Sequence, residues 1–198
     1  LSLLVHTPAV QAPDLEQRLT LVAPFSQSLK DNPDLASLYL GYDNGDFFMV
    51  RPLRTEPLKT LLKSPDTAAY QVWSIERNAS GQVHSQSLFF DQNLMLISRH
   101  DNPGDTYDPR SRAWFSSASH DNDQITTEPY VFFSTHNVGT TLARRSGENV
   151  VMGADLTLAA LSATLAKHVV TPATDIVLFD AQGNAIAYPD SSRPIIDD

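Results

Sequence analysis

Between residues 12 and 30 the apolar positions Leu15, Leu19, Val22, Phe25 and Leu29 recur at steps of three and four, one stripe of an amphipathic helix. Pro13 and Asp14 suit its first turn, Asp31-Asn32-Pro33-Asp34 ends it, and Pro24 inside the pattern predicts a bend or a split. The period then becomes that of strands. Leu38-Tyr39-Leu40 and Phe47-Phe48-Met49-Val50 flank Asp43-Asn44-Gly45-Asp46, and Asn-Gly between apolar runs predicts a tight antiparallel hairpin. A short helix or turn over 55–63, between Pro52 and Pro65, precedes strands over 70–77, 86–91 and 94–99, with a turn at Asn78-Ala79-Ser80-Gly81. Strands over 130–133, 139–144 and 149–152 follow. Asp155 ahead of Leu158, Leu161 and Leu165 then predicts a helix that ends near His168. A last hairpin over 175–188 repeats the design of 38–50 and predicts the start of a second copy of the same module, too short to stand alone. Strands arriving as consecutive hairpins, with helices gathered at the start and middle, define an α+β domain on an antiparallel sheet and not a βαβ wind.

Composition narrows what such a domain can do. The 198 residues, 41% of them hydrophobic, suffice for one full domain and part of a second. The absence of cysteine removes disulfides, thiolate nucleophiles and cysteine-based zinc sites. A formal net charge of −9 argues against nucleic acid and anionic membrane surfaces as partners, both of which reward basic patches. No apolar run reaches the roughly 20 residues that span a bilayer. The start, Leu1-Ser2-Leu3-Leu4-Val5, lacks a basic n-region and an initiator Met, so the chain reads as an excised soluble piece of something longer. The histidines are scattered without an HExxH pairing, and His120-Asp121-Asn122-Asp123 lacks the EF-hand spacing, so no metal is expected. With no Gly-x-Ser-x-Gly elbow and no phosphate-cradling glycine loop, neither a catalytic residue nor a cofactor is expected, and the chain reads as no enzyme.

The residues suited to a binding site begin with Tyr107-Asp108-Pro109-Arg110-Ser111-Arg112-Ala113-Trp114-Phe115. Asp108 can cap the first turn of a helix and Pro109 sits where a missing N–H costs nothing. Arginine grips a carboxylate or phosphate with two parallel hydrogen bonds, and Trp114 offers a large rigid wall beside it. In a regular helix over 109–118, Arg112 and Trp114 would diverge by roughly 200°, whereas Arg110 and Trp114 would share a face. Both can therefore line one cavity only if the helix ends or unwinds near Ala113. One arginine of the pair is expected to brace the turn. Tyr130 in Thr127-Glu128-Pro129-Tyr130 reads as core or contact, and Asp155 in Met152-Gly153-Ala154-Asp155-Leu156 reads equally as an ordinary N-cap or a ligand group.

These stretches, together with Leu38-Tyr39-Leu40-Gly41-Tyr42, resemble the double Cache (dCache) extracytoplasmic sensor domains of bacterial membrane receptors. The resemblance covers most of the chain. It implies a long N-terminal helix over 1–34, a membrane-distal PAS-like ligand-binding module over 35–170, and the start of a membrane-proximal module over 171–198. In the amino-acid-binding branch an Arg and a Trp two residues apart hold the ligand carboxylate, and a Tyr and two acids hold the amino end. Arg112, Trp114, Tyr130 and Asp155 match those positions. The position two after Tyr130 is Phe132 where that branch has an acid, and Ala113 and Phe115 stand where it has Pro and Tyr. The pocket has thus lost negative charge, and the resemblance implies a small polar ligand, carboxylate-bearing or otherwise anionic, sensed in the periplasm or outside the cell. It also implies flanking membrane segments beyond this chain. The stretch 38–53 looks most like receptors whose cytoplasmic output makes or degrades cyclic nucleotides. The rival reading is an interaction module that homodimerises through the 12–30 helix and fills its pocket with its own side chains.

Overall fold

A nine-stranded antiparallel sheet carries the chain, in the order β5-β4-β3-β2-β1-β9-β8-β6, with β7 also paired to β8. These are β1 (Leu35–Tyr42), β2 (Phe47–Pro52), β3 (Tyr70–Arg77), β4 (Val83–Phe90), β5 (Leu96–Asp101), β6 (Ile125–Thr126), β7 (Tyr130–Val131), β8 (Val138–Arg145) and β9 (Val150–Thr157). The computed structural model describes residues 8–120, 123–167, 176–179, 183 and 185–187. The expected α+β class on an antiparallel sheet is what the chain forms.

The central strands read as continuous apolar runs because both faces of the sheet are covered. Leu38 and Leu40 of β1, Phe48 and Val50 of β2, Val72 of β3, Leu88 of β4 and Met152 of β9 pack under the N-terminal helices through Leu21, Val22, Phe25 and Leu29. Residues of the opposite parity, Tyr39, Phe47, Met49, Trp73, Ile75 and Val151, meet Tyr107, Trp114, Phe115 and Ala118 on the other face. Each large apolar side chain enclosed this way contributes on the order of 1.5–3 kcal/mol.

The N-terminal helical segment is split as expected, but before Pro24 and not at it. Asp14, in extended backbone, caps α1 (Leu15–Arg18) by accepting from Gln17 N; a 3-10 turn, Leu19–Leu21, then separates α1 from α2 (Val22–Asp31). Pro24 accounts for the split, since it donates no hydrogen bond and its ring crowds the carbonyl of residue 20. Arg18 at the end of α1 is 1% exposed and pairs with Asp46 at 2.9 Å, while its guanidinium lies 4.1 Å from the centre of the Tyr42 ring. Asp46 also accepts from Arg77 N at 2.7 Å, so one carboxylate ties the helix, the first hairpin and β3 together. That hairpin turns at Asn44-Gly45 as expected, with Gly45 at φ +86° and Gly45 N donating to Tyr42 O.

Several boundaries differ from the sequence reading. β5 starts two residues late because Asp91 Oδ1 takes Asn93 N and Met95 N into a turn with Leu94 at φ +61°. Only Tyr130 and Val131 pair with β8, because Phe132 enters a turn closed by Phe132 N to Asn137 O and His136 N to Phe132 O. The expected helix at Asp108-Pro109 is a single 3-10 turn, Pro109–Ser111, and α4 (Ala113–Ser119) follows only after Arg112. Finally β9 runs on through Thr157, so the helix α5 (Leu158–Lys167) begins three residues beyond Asp155 and Thr157 Oγ1 accepts from Ala160 N. The short helix or turn expected over 55–63 is the helix α3 (Glu56–Leu61), capped by Thr55. Of the hairpin expected over 175–188, the described part pairs β10 (Leu178–Phe179) with β11 (Ala185–Ala187); its remaining residues lie outside those described.

Candidate ligand pocket

The pocket begins with a break in a helix. Asp108 accepts from Arg110 N at 3.0 Å and Arg112 N closes the 3-10 turn onto Pro109 O, but Arg112 itself is extended, at φ −99° and ψ 140°. The α-helix restarts beyond it, with Ser116 N donating to Arg112 O. One extended residue turns the chain, so Arg112 and Trp114 line the same cavity. The segment can lie flat on the sheet because Gly41 of β1 is beneath it: a Cβ there would stand 2.6 Å from Trp114 and 2.9 Å from both Phe115 and Pro109. Arg110 is the bracing arginine, joined to Asp108 at 2.7 Å and 45% exposed at its side chain.

Asp155 is not a helix cap. It sits inside β9, opposite Ser37 of β1 on one side and Thr141 of β8 on the other, a row in which side chains stand close enough to bond across strands. Ser37 Oγ donates to it at 2.9 Å, Thr141 Oγ1 at 2.7 Å, and the phenol of Tyr39 at 2.6 Å. Gly153, facing Tyr39 across the β1–β9 pair, leaves the room its ring occupies. Thr141 Oγ1, having given its proton to Asp155, takes the Tyr130 phenol at 2.6 Å. The result is a buried relay, Tyr130 to Thr141 to Asp155, with Tyr39 as a second donor.

Burial pushes the Asp155 carboxyl above its ordinary value, opposed by the hydrogen bonds from Tyr39, Thr141 and Ser37 and by the charge of Arg51. Burial, reinforced by that carboxylate, raises the Tyr39 phenol well above its usual range and lifts Tyr130 to about 12. Both phenols are therefore donors at neutral pH.

Arg112, Trp114, Tyr130 and Asp155 all border one cavity, with Tyr39, Phe132 and Tyr107 among its other walls. Trp114, 1% exposed, meets Tyr39 edge to face at 4.8 Å between ring centres. Arg112 is half-buried with its guanidinium 5.7 Å from the centre of the Tyr130 ring. Among the described residues it has no hydrogen-bond or ion-pair partner, which leaves its donors available to an incoming anion. The space between these walls is only about 20 Å³, room for a water and not for an organic ligand. Admitting one requires Phe132 and its turn, or the Tyr107 side, to move outward.

Sequence reasoning missed Tyr39, Ser37, Thr141 and Arg51. The parity of β1 carried a signal for the first two, since Ser37 and Tyr39 alternate with Leu38 and Leu40. Arg51 stood out as a cation inside the otherwise apolar run of β2. It is 3% exposed, and burial lowers its guanidinium to about 10 against the pull of Asp155.

Fold and site together define a PAS-like sheet with a small, largely aromatic pocket on one face, and comparison with known proteins agrees with that fold. No family model matches the chain. It is 29% identical over 182 residues to Adenylate cyclase 1 of Rhizobium meliloti (strain 1021), covering 91% of this chain and 27% of that protein. Among solved structures it is similar to the ligand-binding domain of the Campylobacter jejuni chemoreceptor Tlp3 in complex with L-valine, with a TM-score of 0.57, 17% identity, and 99% of this chain against 62% of that one. It is also similar to the Pseudomonas fluorescens chemoreceptor CtaA domain in complex with L-serine (TM-score 0.56, 18% identity, 95% of this chain and 61% of that one). The Pseudomonas aeruginosa PctB domain in complex with L-Gln follows at 0.53 and 19% identity, with 95% of this chain and 58% of that one. The chain thus has the fold of chemoreceptor ligand-binding domains, and the double Cache resemblance holds at that level. It spans about a quarter of its curated relative and about three fifths of these structures.

Proposed function

We propose that this chain is an extracytoplasmic sensor domain of a bacterial transmembrane signalling receptor that binds a small polar, anionic ligand between Arg112, Trp114, Tyr130 and Asp155. The observation that carries the reading is the convergence of those side chains, from Arg112 just before α4 and from α4, β7 and β9, on one cavity in which Arg112 has no hydrogen-bond or ion-pair partner among the described residues. Arg112 takes the carboxylate, Trp114 and Tyr130 enclose it, and Asp155 receives a hydroxyl or other donor. The ammonium of an α-amino acid is disfavoured, because Phe132 is 6% exposed at this wall and Arg51 borders Asp155 from behind.

Residues 35–170 form the ligand-binding module in this proposal, 1–34 its N-terminal helical segment, and 171–198 the start of a membrane-proximal module, with the domain facing the periplasm. A ligand that fits the opened pocket better than the closed one shifts their populations by its differential affinity, and β9 passes the shift to α5, which begins three residues beyond Asp155. The binding domain carries no catalysis; the likeness to an adenylate cyclase supports an output in cyclic-nucleotide signalling located elsewhere in the protein. The small size of the cavity favours a second reading, a homodimerising interaction module whose pocket is filled by Phe132 and its neighbours. A thermal-shift screen of organic acids, amino acids, amines, purines and sugars separates the two. An anionic hit that raises the melting temperature is expected; no response from any class would favour the interaction module.

A further inference from the structure

Arg51 borders Asp155 from behind, but neither a hydrogen bond nor a salt bridge joins the two among the described residues. It points to the same sheet face from the middle of the sheet, opposite Gln71 of β3. Its guanidinium donates from Nη2 to Ser134 Oγ at 2.8 Å and to Met49 Sδ at 3.0 Å, while Nε is enclosed without any acceptor. Among the described residues it joins no salt bridge. Gln71, 4% exposed, donates from Nε2 to Ser87 Oγ at 3.0 Å, and its Oε1 has no donor. A buried cation and a buried acceptor, side by side and both short of partners, are costly in a folded chain unless something else completes them.

Both residues border a cavity of about 440 Å³ on the far side of Trp73 and Phe133 from the Arg112 pocket. Lys63, at φ +52° just beyond α3, brings a second cation to it. Asp105 is the one acid among its lining residues, and that carboxylate is already engaged by Trp73 Nε1 at 2.9 Å, Ser85 Oγ at 2.6 Å and Tyr107 N at 2.9 Å. The wall toward the Arg112 pocket is apolar, with Trp73 and Phe133 stacked at 6.3 Å.

We propose that this cavity is a second ligand site, selective for a small hydroxycarboxylate whose carboxylate pairs with Arg51 and whose hydroxyl donates to Gln71. The site shares the wall of Trp73, Phe133 and Ser134 with the Arg112 pocket and does not depend on that pocket's being a sensor site. Charge selects the carboxylate, two cations facing one committed acid. Gln71 Oε1 selects the hydroxyl, because an acid lacking it leaves that acceptor unpaired.

The test is calorimetric titration of the intact chain with lactate and glycerate, using propionate and glycerol as the two half-ligands. Lactate or glycerate is expected to bind about tenfold or more tighter than propionate, and glycerol not to bind. Arg51→Met should abolish that binding, Gln71→Leu should weaken it about tenfold, and Arg112→Ala should leave it intact. Binding that survives Arg51→Met, or that is lost with Arg112→Ala and not with Arg51→Met, would overturn the proposal. So would the failure of lactate and glycerate to bind wild type, which would mean that the cavity holds water only.

Discussion

Gly41→Ala tests whether the arginine-bearing segment is held where the pocket needs it. The added methyl would fall within 3.0 Å of Trp114, Phe115 and Pro109, all three on the segment that carries Arg112. β1 cannot retreat, because β2 and β9 bond it on both sides. The segment must therefore lift, with Trp114 and Phe115 only 1% and 5% exposed in the starting structure. Overpacking of this kind costs about 1–3 kcal/mol. For a chain of this size, a loss of 1 kcal/mol lowers the melting temperature by about 2–4 °C, so a fall of roughly 2–12 °C is expected. Thermal and urea denaturation followed by far-UV circular dichroism measure it, and the near-UV spectrum reports the altered setting of Trp114. A Gly41→Ala protein within about 0.5 kcal/mol of wild type, with an unchanged near-UV spectrum, would refute the packing argument and the reason given for the placement of Arg112.

Other expectations follow from the same geometry. Asp46→Asn leaves Arg18 buried beside a neutral amide and should cost about 3–5 kcal/mol by urea denaturation; a loss below about 1 kcal/mol would show the pair to be idle. Thr141→Val removes the donor to Asp155 and the acceptor for Tyr130, so stability should fall by about 1–3 kcal/mol, with Thr141→Ser restoring most of it. The Asp155 carboxyl holds its proton more tightly in the folded chain than in the unfolded one, where its value is near 3.8. Its contribution is therefore fully present below that pH and is lost as pH rises through the folded value. Measured by denaturation at a series of pH values, the stability of Asp155→Asn relative to wild type should rise with pH, and a relative fall would contradict the burial argument.

What the sequence made legible was local chemistry. The Asn44-Gly45 turn, the Asp108 cap and a split in the first helix each depend on neighbours in the chain, and each is found, the split at Leu19–Leu21 and not at Pro24 itself. The extended backbone of Arg112 was foreseen only as a condition, because what seats that segment is Gly41, some seventy residues earlier. Asp155 was open to misreading for the same reason. An Asp ahead of a leucine-rich run looks like a cap, yet pairing of β9 with β1 and β8 on both sides extends the strand past it. Its partners Ser37 and Thr141 are set by cross-strand register, which composition and periodicity do not encode. Arg51 lay in plain view within β2, but the enclosure of its Nε without an acceptor is a fact of packing alone.

The sensor account turns on Arg112. The most direct measurement is calorimetric titration of wild type, Arg112→Ala and Asp155→Ala with the best ligand from the screen whose binding Arg51→Met retains, so that the second cavity does not contribute. Leaving a bound carboxylate unpaired in this pocket costs several kcal/mol, so Arg112→Ala should weaken binding by about a hundredfold or more, and Asp155→Ala by less. Undiminished affinity in Arg112→Ala, or an α-amino acid as the best ligand with Asp155→Ala the more damaging change, would contradict it.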